Sequence, residues 1–546
     1  MKFTSFLLVL FVLTANTIHA QIEDAWVFFK DKPDATYYLN NPIEMLTQRS
    51  LDRRIRQGVQ LNEKDVPLHP AYVASIANVN GISVLARSKW MNALHVRGTQ
   101  SVINGVLSLT GIDRVEYANK NLATQTNKKT NKRSDKFKEE QVTTNRQNAV
   151  TLTSDNQIEM LHGDFLHSNQ FDGEAIHMAI LDAGFNGVET FNAFALLHDN
   201  DLSNGEVLGG YNFVGRNSNF YANVGSTHGL AVLSTIAATV GNTFRGTAPK
   251  AKFYLFVTED APNESPLEES LWVEAAERAD SLGVDVINTS LGYTTFDRSA
   301  YNYDYFDMNG ETTFISRGAE LATATGMFLV NAAGNSGLDS WRYIGAPADA
   351  VSVLSVGAVN ATENTAVFSS FGPTADNRVK PEVLAQGQGT VLINGSNGNI
   401  GTSNGTSFAS PIMAGLVACL WEAFPYASMQ ELRSAIMNSS DSFDTPTVQR
   451  GYGLPNFETA YGLLSNLSTT TVNLNYNIVD SELPIKFSSD VRACKVSIYD
   501  SMGVLEMRTS VTKEDPVIDL TGCTPGVYLV IFTTNKRQEI YRFLKH

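Results

Sequence analysis

The stretch GTSFASPIMAGLVACLWEAF, residues 405–424, is the most informative part of this chain. The run from Phe408 to Phe424 is strongly apolar and predicts a buried helix, with Ser407 at its mouth. Pro411 is compatible with that helix because backbone amides in a first turn have no partner within the helix. The positive end of the helix dipole would stabilise negative charge that develops next to Ser407. Ser407 is therefore a candidate nucleophile.

Around this helix, from about residue 149 onward, short β-branched runs alternate with helical patterns. This alternation predicts a parallel sheet with helices on both faces. The predicted strands are 176–181, 252–257, 284–288 and 327–330, and the predicted helices are 230–238, 268–282 and 313–325. This part of the chain is thus expected to be an α/β domain.

Three further polar residues stand where such a sheet builds active sites. Asp182 ends the first predicted strand, His228 precedes an apolar helical run, and Asn335 lies in a Gly-rich loop after the strand 327–330. Ligands bind outside the carboxyl ends of parallel strands. Taken alone, each of these residues is as typical of a turn or of the start of a helix as it is of an active site. Together with Ser407 they supply the parts of a nucleophile, a base, an orienting acid and an oxyanion donor.

A second serine competes for the role of nucleophile. Residues 401–405 read GTSNG and match the G-x-S-x-G elbow of α/β-hydrolases around Ser403. That motif needs its acid and its histidine later in the chain than the serine. The only histidine after Ser403 is His546, the last residue of the sequence. The order of residues therefore argues against an elbow esterase.

These motifs resemble those of the subtilase (subtilisin-like) serine protease family, over about residues 149–465. The resemblance implies that Ser407 attacks the scissile carbonyl and that His228 accepts its proton and returns it to the leaving amine. It also implies that Asp182 orients the imidazole and that Asn335 completes the oxyanion hole. The blocks that carry the resemblance are GTSFASP at 405–411, VINTSLG at 286–292, AGNSG at 333–337 and GTAP at 246–249.

The same resemblance implies two backbone segments that flank an extended peptide and pair with it as added strands. These substrate-binding residues are Ser290, Leu291 and Gly292, and Ala332, Ala333 and Gly334. Gly345 aligns loosely with the family's primary specificity wall, where a glycine would leave room for a large side chain. Ala183 and Leu230-Ala231 depart from the usual residues after the Asp and the His-Gly, but neither change removes an atom of the triad.

The segments ahead of this domain predict export and maturation. Residues 1–20 have the form of a signal peptide, with a short apolar core and small residues before the expected cleavage site. Residues 21–120 read as a small α+β unit where the family carries a propeptide. Residues 121–148 are a polar linker and processing region. The resemblance thus implies a zymogen, secreted or at the cell surface, with its catalytic domain at 149–466.

After a linker at 467–475, residues 476–546 predict a small all-β domain. It resembles the sorting domain that directs proteins through the type IX secretion system of Bacteroidota, which implies the secretion machinery as a partner. The alternative is a generic β-sandwich that binds carbohydrate or protein. The segments that carry the resemblance are VSIYDSMG at 496–503, PGVYLV at 525–530 and the ending YRFLKH at 541–546.

Composition excludes several other classes of function. The chain has 546 residues, with 56 Asp and Glu against 41 Lys and Arg, which argues against a uniform nucleic-acid-binding surface. No later segment is as apolar as the leader, so no permanent membrane span is expected. The three cysteines have no C-x-x-C spacing for zinc or dithiol chemistry. In an oxidising compartment Cys494 and Cys523 could pair, while Cys419 is expected to be a buried thiol.

Two questions about ligands and function remain open from the sequence. Residues 297–311 are expected to form a solvated aromatic loop; the alternatives are that their oxygen ligands bind structural calcium, as in many subtilases, and that their tyrosines line a subsite. No cofactor is required, and protein or peptide substrates and a monomer are expected. The rival function is a non-catalytic surface or adhesion protein on a subtilase scaffold, against which the four intact site residues argue.

Overall fold

The computed structural model describes three domains in the order expected from the sequence. The expected signal peptide and most of the expected processing region, 121–148, lie outside the described residues. The described residues are 21–123, 152–199, 201, 203–468, 472–474, 478–487, 491–534 and 538–546.

The first domain is an antiparallel sheet of four strands with helices on one face. Its elements are β1 (Ile22–Phe29), α1 (Ala35–Asn40), α2 (Gln48–Arg56), α3 (Pro70–Ala77), β2 (Ser83–Ser88), β3 (Ala93–Thr99), α4 (Gln100–Gly105), β4 (Ile112–Tyr117) and α5 (Lys120–Ala123), with 3₁₀ turns at Pro42–Glu44, Glu63–Asp65 and Val106–Ser108. The strand order is β2-β3-β1-β4. Side chains alternate between the two faces of a strand. In β1, Ala25 and Val27 therefore enter the core of this domain, while Trp26 and Phe28 face the next domain.

The second domain contains the predicted parallel sheet. Its elements are α6 (Asp155–Glu159), α7 (Gly163–Ser168), β5 (His177–Asp182), β6 (Glu206–Asn212), α8 (His228–Ala237), β7 (Thr239–Val240), β8 (Phe244–Arg245), β9 (Lys252–Val257), α9 (Pro266–Leu282), β10 (Val286–Thr289), α10 (Phe314–Ala324), β11 (Phe328–Ala332), β12 (Leu354–Val359), β13 (Val383–Gln386), β14 (Thr390–Ile393), β15 (Ile400–Ser403), α11 (Thr406–Ala423), α12 (Met429–Asn438) and α13 (Phe457–Ser468), with 3₁₀ turns at Asn192–Leu197, Ser299–Tyr301 and Tyr305–Asp307. Seven parallel strands pair in the order β13-β12-β11-β10-β5-β9-β6. The expected α/β fold is confirmed.

Each face of this sheet has its own apolar core. In β5, Met178 and Ile180 pack on the side of α8 and α11, whereas Ala179 and Leu181 pack on the side of α9 and α10. The strands are buried on both faces, which is why they appear in the sequence as continuous apolar runs instead of alternating patterns.

Helix α11 is the central helix of the larger core. It begins two residues earlier than the predicted Phe408, and 83% of it is buried within the domain. Among the described residues it alone is long and apolar enough to cross a bilayer, but its burial is that of a core helix. Packing against it is tight: a Cβ added at Gly415 would lie 1.9 Å from Thr247 Oγ1. Cys419, on the same helix, is a buried free thiol as expected.

The first domain covers the outer face of α9 and α10. The ring of Trp26 stacks on Phe314 with centroids 4.7 Å apart, and its indole N–H donates to Ser270 Oγ at 2.8 Å. Glu277, on α9, accepts hydrogen bonds from Ser88 Oγ at 2.6 Å and from the backbone amides of residues 89 and 90 at 3.0 Å. The contact therefore combines aromatic packing with buried, directional polar bonds.

The stretch 297–311 also contacts the first domain. Tyr301 is buried and its hydroxyl accepts a hydrogen bond from the backbone amide of Asp24 at 3.2 Å, while Arg298 pairs with Glu23 at 2.5 Å. Tyr301 is therefore buried against the first domain and is not exposed to solvent as a solvated loop would require. In the part of the chain that the structure describes, no three His, Cys, Asp or Glu side chains form a metal-binding group, and a calcium site stays a prediction.

The third domain has the predicted all-β fold. Its strands are β16 (Val472–Leu474), β17 (Ile478–Val479), β18 (Glu482–Phe487), β19 (Ala493–Asp500), β20 (Leu505–Thr512), β21 (Val517–Asp519), β22 (Gly526–Thr533) and β23 (Gln538–Lys545). They form one sheet of three strands and one of five, paired antiparallel except for β17 with β23. Cys494 and Cys523 belong to this domain as free thiols.

Candidate active site

A buried acid and a histidine meet at the carboxyl edge of the sheet. Asp182 is the last residue of β5 and is fully buried, and its Oδ1 lies 2.6 Å from His228 Nδ1. The amide of Ala183 donates to the same oxygen at 2.7 Å. Asp182 Oδ2 has no hydrogen-bond partner among the described residues. A carboxylate at Nδ1 favours the tautomer with the proton on that nitrogen, which leaves Nε2 as the basic atom.

The start of α8 is close to β5 because residue 229 is a glycine. A Cβ added at Gly229 would lie 2.8 Å from the carbonyl oxygen of Gly184 and 3.0 Å from the Cβ of Asp182. Any side chain at this position would therefore push the first turn of α8 away from the strand. His228, the first residue of that turn, needs this approach to reach Asp182.

The candidate nucleophile begins the central helix. Gly405 caps α11 with φ 153°, in the region that favours glycine. The hydroxyl of Ser407 donates to the carbonyl oxygen of Ser290 at 3.1 Å, and Ser290 Oγ donates back to the carbonyl oxygen of Ser407 at 2.8 Å. These two bonds join the end of β10 to the start of α11. The ring of His228 lies next to this turn, 5.8 Å from the ring of Phe408.

Asn335 is held by its side-chain oxygen. That oxygen accepts from the backbone amide of Thr406 at 2.9 Å and from the Thr406 hydroxyl at 3.0 Å. The same hydroxyl accepts from the amide of Gly334 at 3.0 Å. With its oxygen fixed by Thr406, the side-chain NH₂ of Asn335 is left to serve the cleft. Sequence reasoning missed Thr406, although it stands next to Ser407 in the most informative motif.

These residues line one cleft with a cavity volume of 60 Å³. The two predicted substrate-binding segments lie on it together with Asn335, Ser407 and Gly345, whereas Asp182 and His228 are not among its lining residues. Besides Thr406, sequence reasoning did not single out five of the lining side chains, Thr294, Ser336, Asp339, Tyr343 and Ser370. The lining residues are Ser290, Leu291, Gly292, Thr294, Ala332, Ala333, Gly334, Asn335, Ser336, Asp339, Tyr343, Gly345, Ser370, Thr406 and Ser407.

The competing serine lies outside this cleft. Ser403 is the last residue of β15 and pairs with Thr390 in the antiparallel hairpin of β14 and β15. It is not among the residues that line the cavity. The geometry thus agrees with the order of residues in disfavouring an elbow nucleophile.

A second buried pair supports the cleft wall. The hydroxyl of Tyr293 lies 2.7 and 2.8 Å from the two carboxylate oxygens of Glu259. Burial raises the pKa of Tyr293 well above its ordinary value, so the phenol stays neutral and donates. The backbone of Tyr293 pairs in both directions with Ala346, at 2.8 and 3.2 Å. Glu259 therefore anchors the segment that follows Gly292 and lies against Gly345.

Comparisons with known proteins give family matches for the first two domains. Residues 173–455 match the model of the Subtilase family (Peptidase S8), and residues 24–136 match the Peptidase S8 propeptide domain of Bacteroidota. Subtilisin DY of Bacillus licheniformis is 32% identical over 309 residues, which cover 56% of this chain and 97% of that protein. Subtilisin E of Bacillus subtilis (strain 168) is 30% identical, over 56% of this chain and 70% of that protein. The solved structure of the prenylagaramide maturation protease PagA is similar with a TM-score of 0.42 and 23% identity, over 56% of this chain and 98% of that chain.

Proposed function

Because this chain belongs to the subtilase family of serine endopeptidases and carries that family's propeptide domain, we propose that it is a zymogen whose catalytic triad is Asp182, His228 and Ser407. The observation that carries the assignment is the buried contact of 2.6 Å between Asp182 and His228, whose ring lies next to the first turn of α11, the turn that contains Ser407. A buried carboxylate on Nδ1 both fixes the imidazole and stabilises its protonated form.

The proposed reaction proceeds in two steps. Ser407 Oγ attacks the scissile carbonyl as its proton passes to His228 Nε2, and the C–N bond then breaks as the imidazolium returns that proton to the leaving amine. Water, deprotonated by the same nitrogen, hydrolyses the acyl-enzyme and regenerates Ser407. For the first step the hydroxyl must rotate away from the carbonyl oxygen of Ser290, its acceptor in this structure.

The negative charge of each tetrahedral intermediate is stabilised by two kinds of donor. The NH₂ group of Asn335, oriented by Thr406, supplies one, and the backbone amide of Ser407 at the positive end of α11 supplies the other. An extended peptide would lie between Ser290–Gly292 and Ala332–Gly334 and pair with their backbone groups. This arrangement needs no cofactor. The oxygen ligands of residues 297–311 would in addition bind a structural calcium ion.

Maturation and export complete the proposal. The signal peptide at 1–20 would direct the chain out of the cytoplasm, and cleavage within 121–148 would separate the first domain from the catalytic domain. The third domain would engage the secretion machinery as a type IX sorting domain and leave the mature monomer secreted or at the cell surface. The competing function is a non-catalytic surface protein on the same scaffold.

The test is covalent labelling of the exported protein with a fluorophosphonate probe of serine hydrolases. Wild type and Ser403→Ala should bind the probe and lose the mass of the N-terminal region, whereas Ser407→Ala should remain unlabelled and full length. Ser403→Ala is the matched control because Ser403 lies close in sequence but outside the cleft. A fully exported wild-type chain that neither binds the probe nor shortens would favour the non-catalytic scaffold.

A further inference from the structure

The wall of the cleft carries one formal charge. Asp339 is the only Asp, Glu, Lys or Arg among the fifteen residues that line the cavity; the others are Gly, Ala, Ser, Thr, Asn, Leu and Tyr. A charge on the wall of a small, partly enclosed site attracts an opposite charge and repels a like one. The charge of the substrate side chain that enters here is therefore expected to matter.

Asp339 is held at a fixed place relative to the oxyanion donor. Its backbone amide donates to the carbonyl oxygen of Ser336 at 2.8 Å, which closes a turn directly after Asn335. That turn is anchored in the body of the domain, since the amide of Ser336 donates to Ser370 Oγ at 3.0 Å and the amide of Gly337 donates to the carbonyl oxygen of residue 368 at 2.8 Å. Asp339 thus belongs to the rigid frame of the site.

The cavity has room for a long side chain. Its volume of 60 Å³ corresponds to about four to six water molecules, and a lysine side chain has five atoms beyond its Cα. Gly345 contributes no side chain to the wall. Tyr343 adds an aromatic ring, held by Tyr305 with centroids 4.3 Å apart, along which a methylene stem can pack. An apolar stem with a cationic end fits both the ring and the acid.

The sequence of the processing region points to the same chemistry. Residues 121–148 contain Lys128, Lys129, Lys132, Arg133, Lys136, Lys138 and Arg146. Seven of these 28 residues are thus basic, against 41 of 546 in the whole chain, and only three are acidic. If the enzyme cleaves itself in this region, a peptide bond that follows a charged residue most often follows Lys or Arg.

We infer that the cleft selects peptides with Lys or Arg immediately before the scissile bond, and that Asp339 is the residue that recognises the cation. The inference rests on the proposed function and adds a substrate class to it. The stem of the substrate residue passes Gly345 and Tyr343, and its ammonium or guanidinium group pairs with the carboxylate of Asp339.

The experiment compares peptide substrates that differ only in this residue: Lys, Arg, Phe, Leu or Glu. Processed wild-type enzyme should cleave the Lys and Arg peptides with the highest kcat/KM. Asp339→Asn, which keeps the shape and removes the charge, should lower kcat/KM for these two by about 10- to 100-fold, the range for a lost charge-assisted bond. Cleavage of the Phe and Leu peptides should stay within about twofold. Asp339→Lys should cleave the Glu peptide better than wild type does.

The control is Glu458→Gln, which removes a carboxylate from the exposed side of α13, outside the cleft. It should leave every substrate unchanged. Mass spectrometry of the mature wild type should also place its new N-terminus directly after Lys or Arg, in a cut that Ser407→Ala does not make.

Two results would overturn the inference and leave the proposed function intact: a wild type that prefers Phe or Leu, or an Asp339→Asn variant that loses all substrates equally. A wild type that cleaves no peptide and binds no fluorophosphonate would instead overturn the proposed function, and this inference with it.

Discussion

Thr406 provides a sharp test of how the proposed oxyanion donor is positioned. Its hydroxyl is fully buried, donates to Asn335 Oδ1 at 3.0 Å and accepts from the amide of Gly334 at 3.0 Å. Thr406→Val keeps the shape of the side chain and removes both bonds. Thr406→Ser keeps the hydroxyl and loses only a methyl group, so it is the matched control.

The size of the effect follows from these two bonds. A lost neutral hydrogen bond costs about 0.5–1.5 kcal/mol, and a buried amide left without a partner costs about 1–3 kcal/mol. Because the hydrogen bond from the backbone amide of Thr406 to Asn335 remains, we expect the transition state to lose about 1.5–3 kcal/mol of stabilisation. With about 1.4 kcal/mol for each factor of ten, kcat should fall about 10- to 150-fold. KM should change little, since the oxyanion forms only after the substrate has bound.

The assay is peptide hydrolysis by Thr406→Val, Thr406→Ser, Asn335→Ala and the double variant, each normalised by its labelled fraction. Asn335→Ala should lose about 10²- to 10³-fold in kcat. If Thr406 acts through Asn335, the double variant should be no slower than Asn335→Ala alone. A Thr406→Val enzyme with wild-type kcat, or fully additive losses in the double variant, would refute this reasoning.

Two further predictions concern packing and pH. Gly415→Ala should cost about 1–3 kcal/mol and lower the unfolding temperature of the intact Ser407→Ala chain, since its Cβ would clash with Thr247. By contrast Gly462→Ala, on α13 with nothing within 4 Å, should not lower it; equal shifts in calorimetry would contradict this packing. Burial raises the pKa of Glu277, on α9 of the catalytic domain, to about 7 from its ordinary 4.5, so Glu277 binds its proton more tightly when the first domain is docked on it than when that domain has separated. Docking should therefore be strongest below pH 4.5 and weaken as the pH rises through 7. Size-exclusion chromatography should accordingly find more of the first domain released at pH 8 than at pH 5. This pH dependence should flatten in Glu277→Gln, and an unchanged pH dependence in that variant would argue against Glu277 as its source.

The sheet could be predicted, and the four candidate site residues could be selected, because each leaves a local signal in the sequence. Buried parallel strands such as β9 are short apolar runs; Asp182 ends one such run, and Asn335 lies three residues after another. Strand β3 was missed because its sequence, ALHVRGT, contains the polar residues His95 and Arg97, whose side chains both contact the carboxylate of Asp24, over seventy residues away in sequence. A strand of this kind depends on a tertiary partner that no window of sequence contains.

The support of the cleft was missed for a related reason. Glu259 and Tyr293 lie 34 residues apart, and neither belongs to a motif. Their pairing arises because β9 and β10 are both neighbours of β5 in the sheet, so the segments after them leave the same edge. Asp339 is likewise an ordinary turn residue in the sequence, and the anchoring of its turn to residues 368 and 370, about thirty residues later, is what holds it at the cavity.

Because Ser407 lies at the head of α11, the stability of the domain and the geometry of its proposed nucleophile depend on the same helix. These two properties are usually measured separately. The helix that carries the proposed nucleophile is also the one around which the larger core is packed, with 83% of its residues buried. Loss of the core and loss of the nucleophile's geometry are therefore one event. If Ser407 is the nucleophile, a covalent probe of it would count native molecules, and the temperature at which labelling stops should coincide with the melting of the domain. Selection for greater heat resistance would, for the same reason, act directly on the half-life of activity.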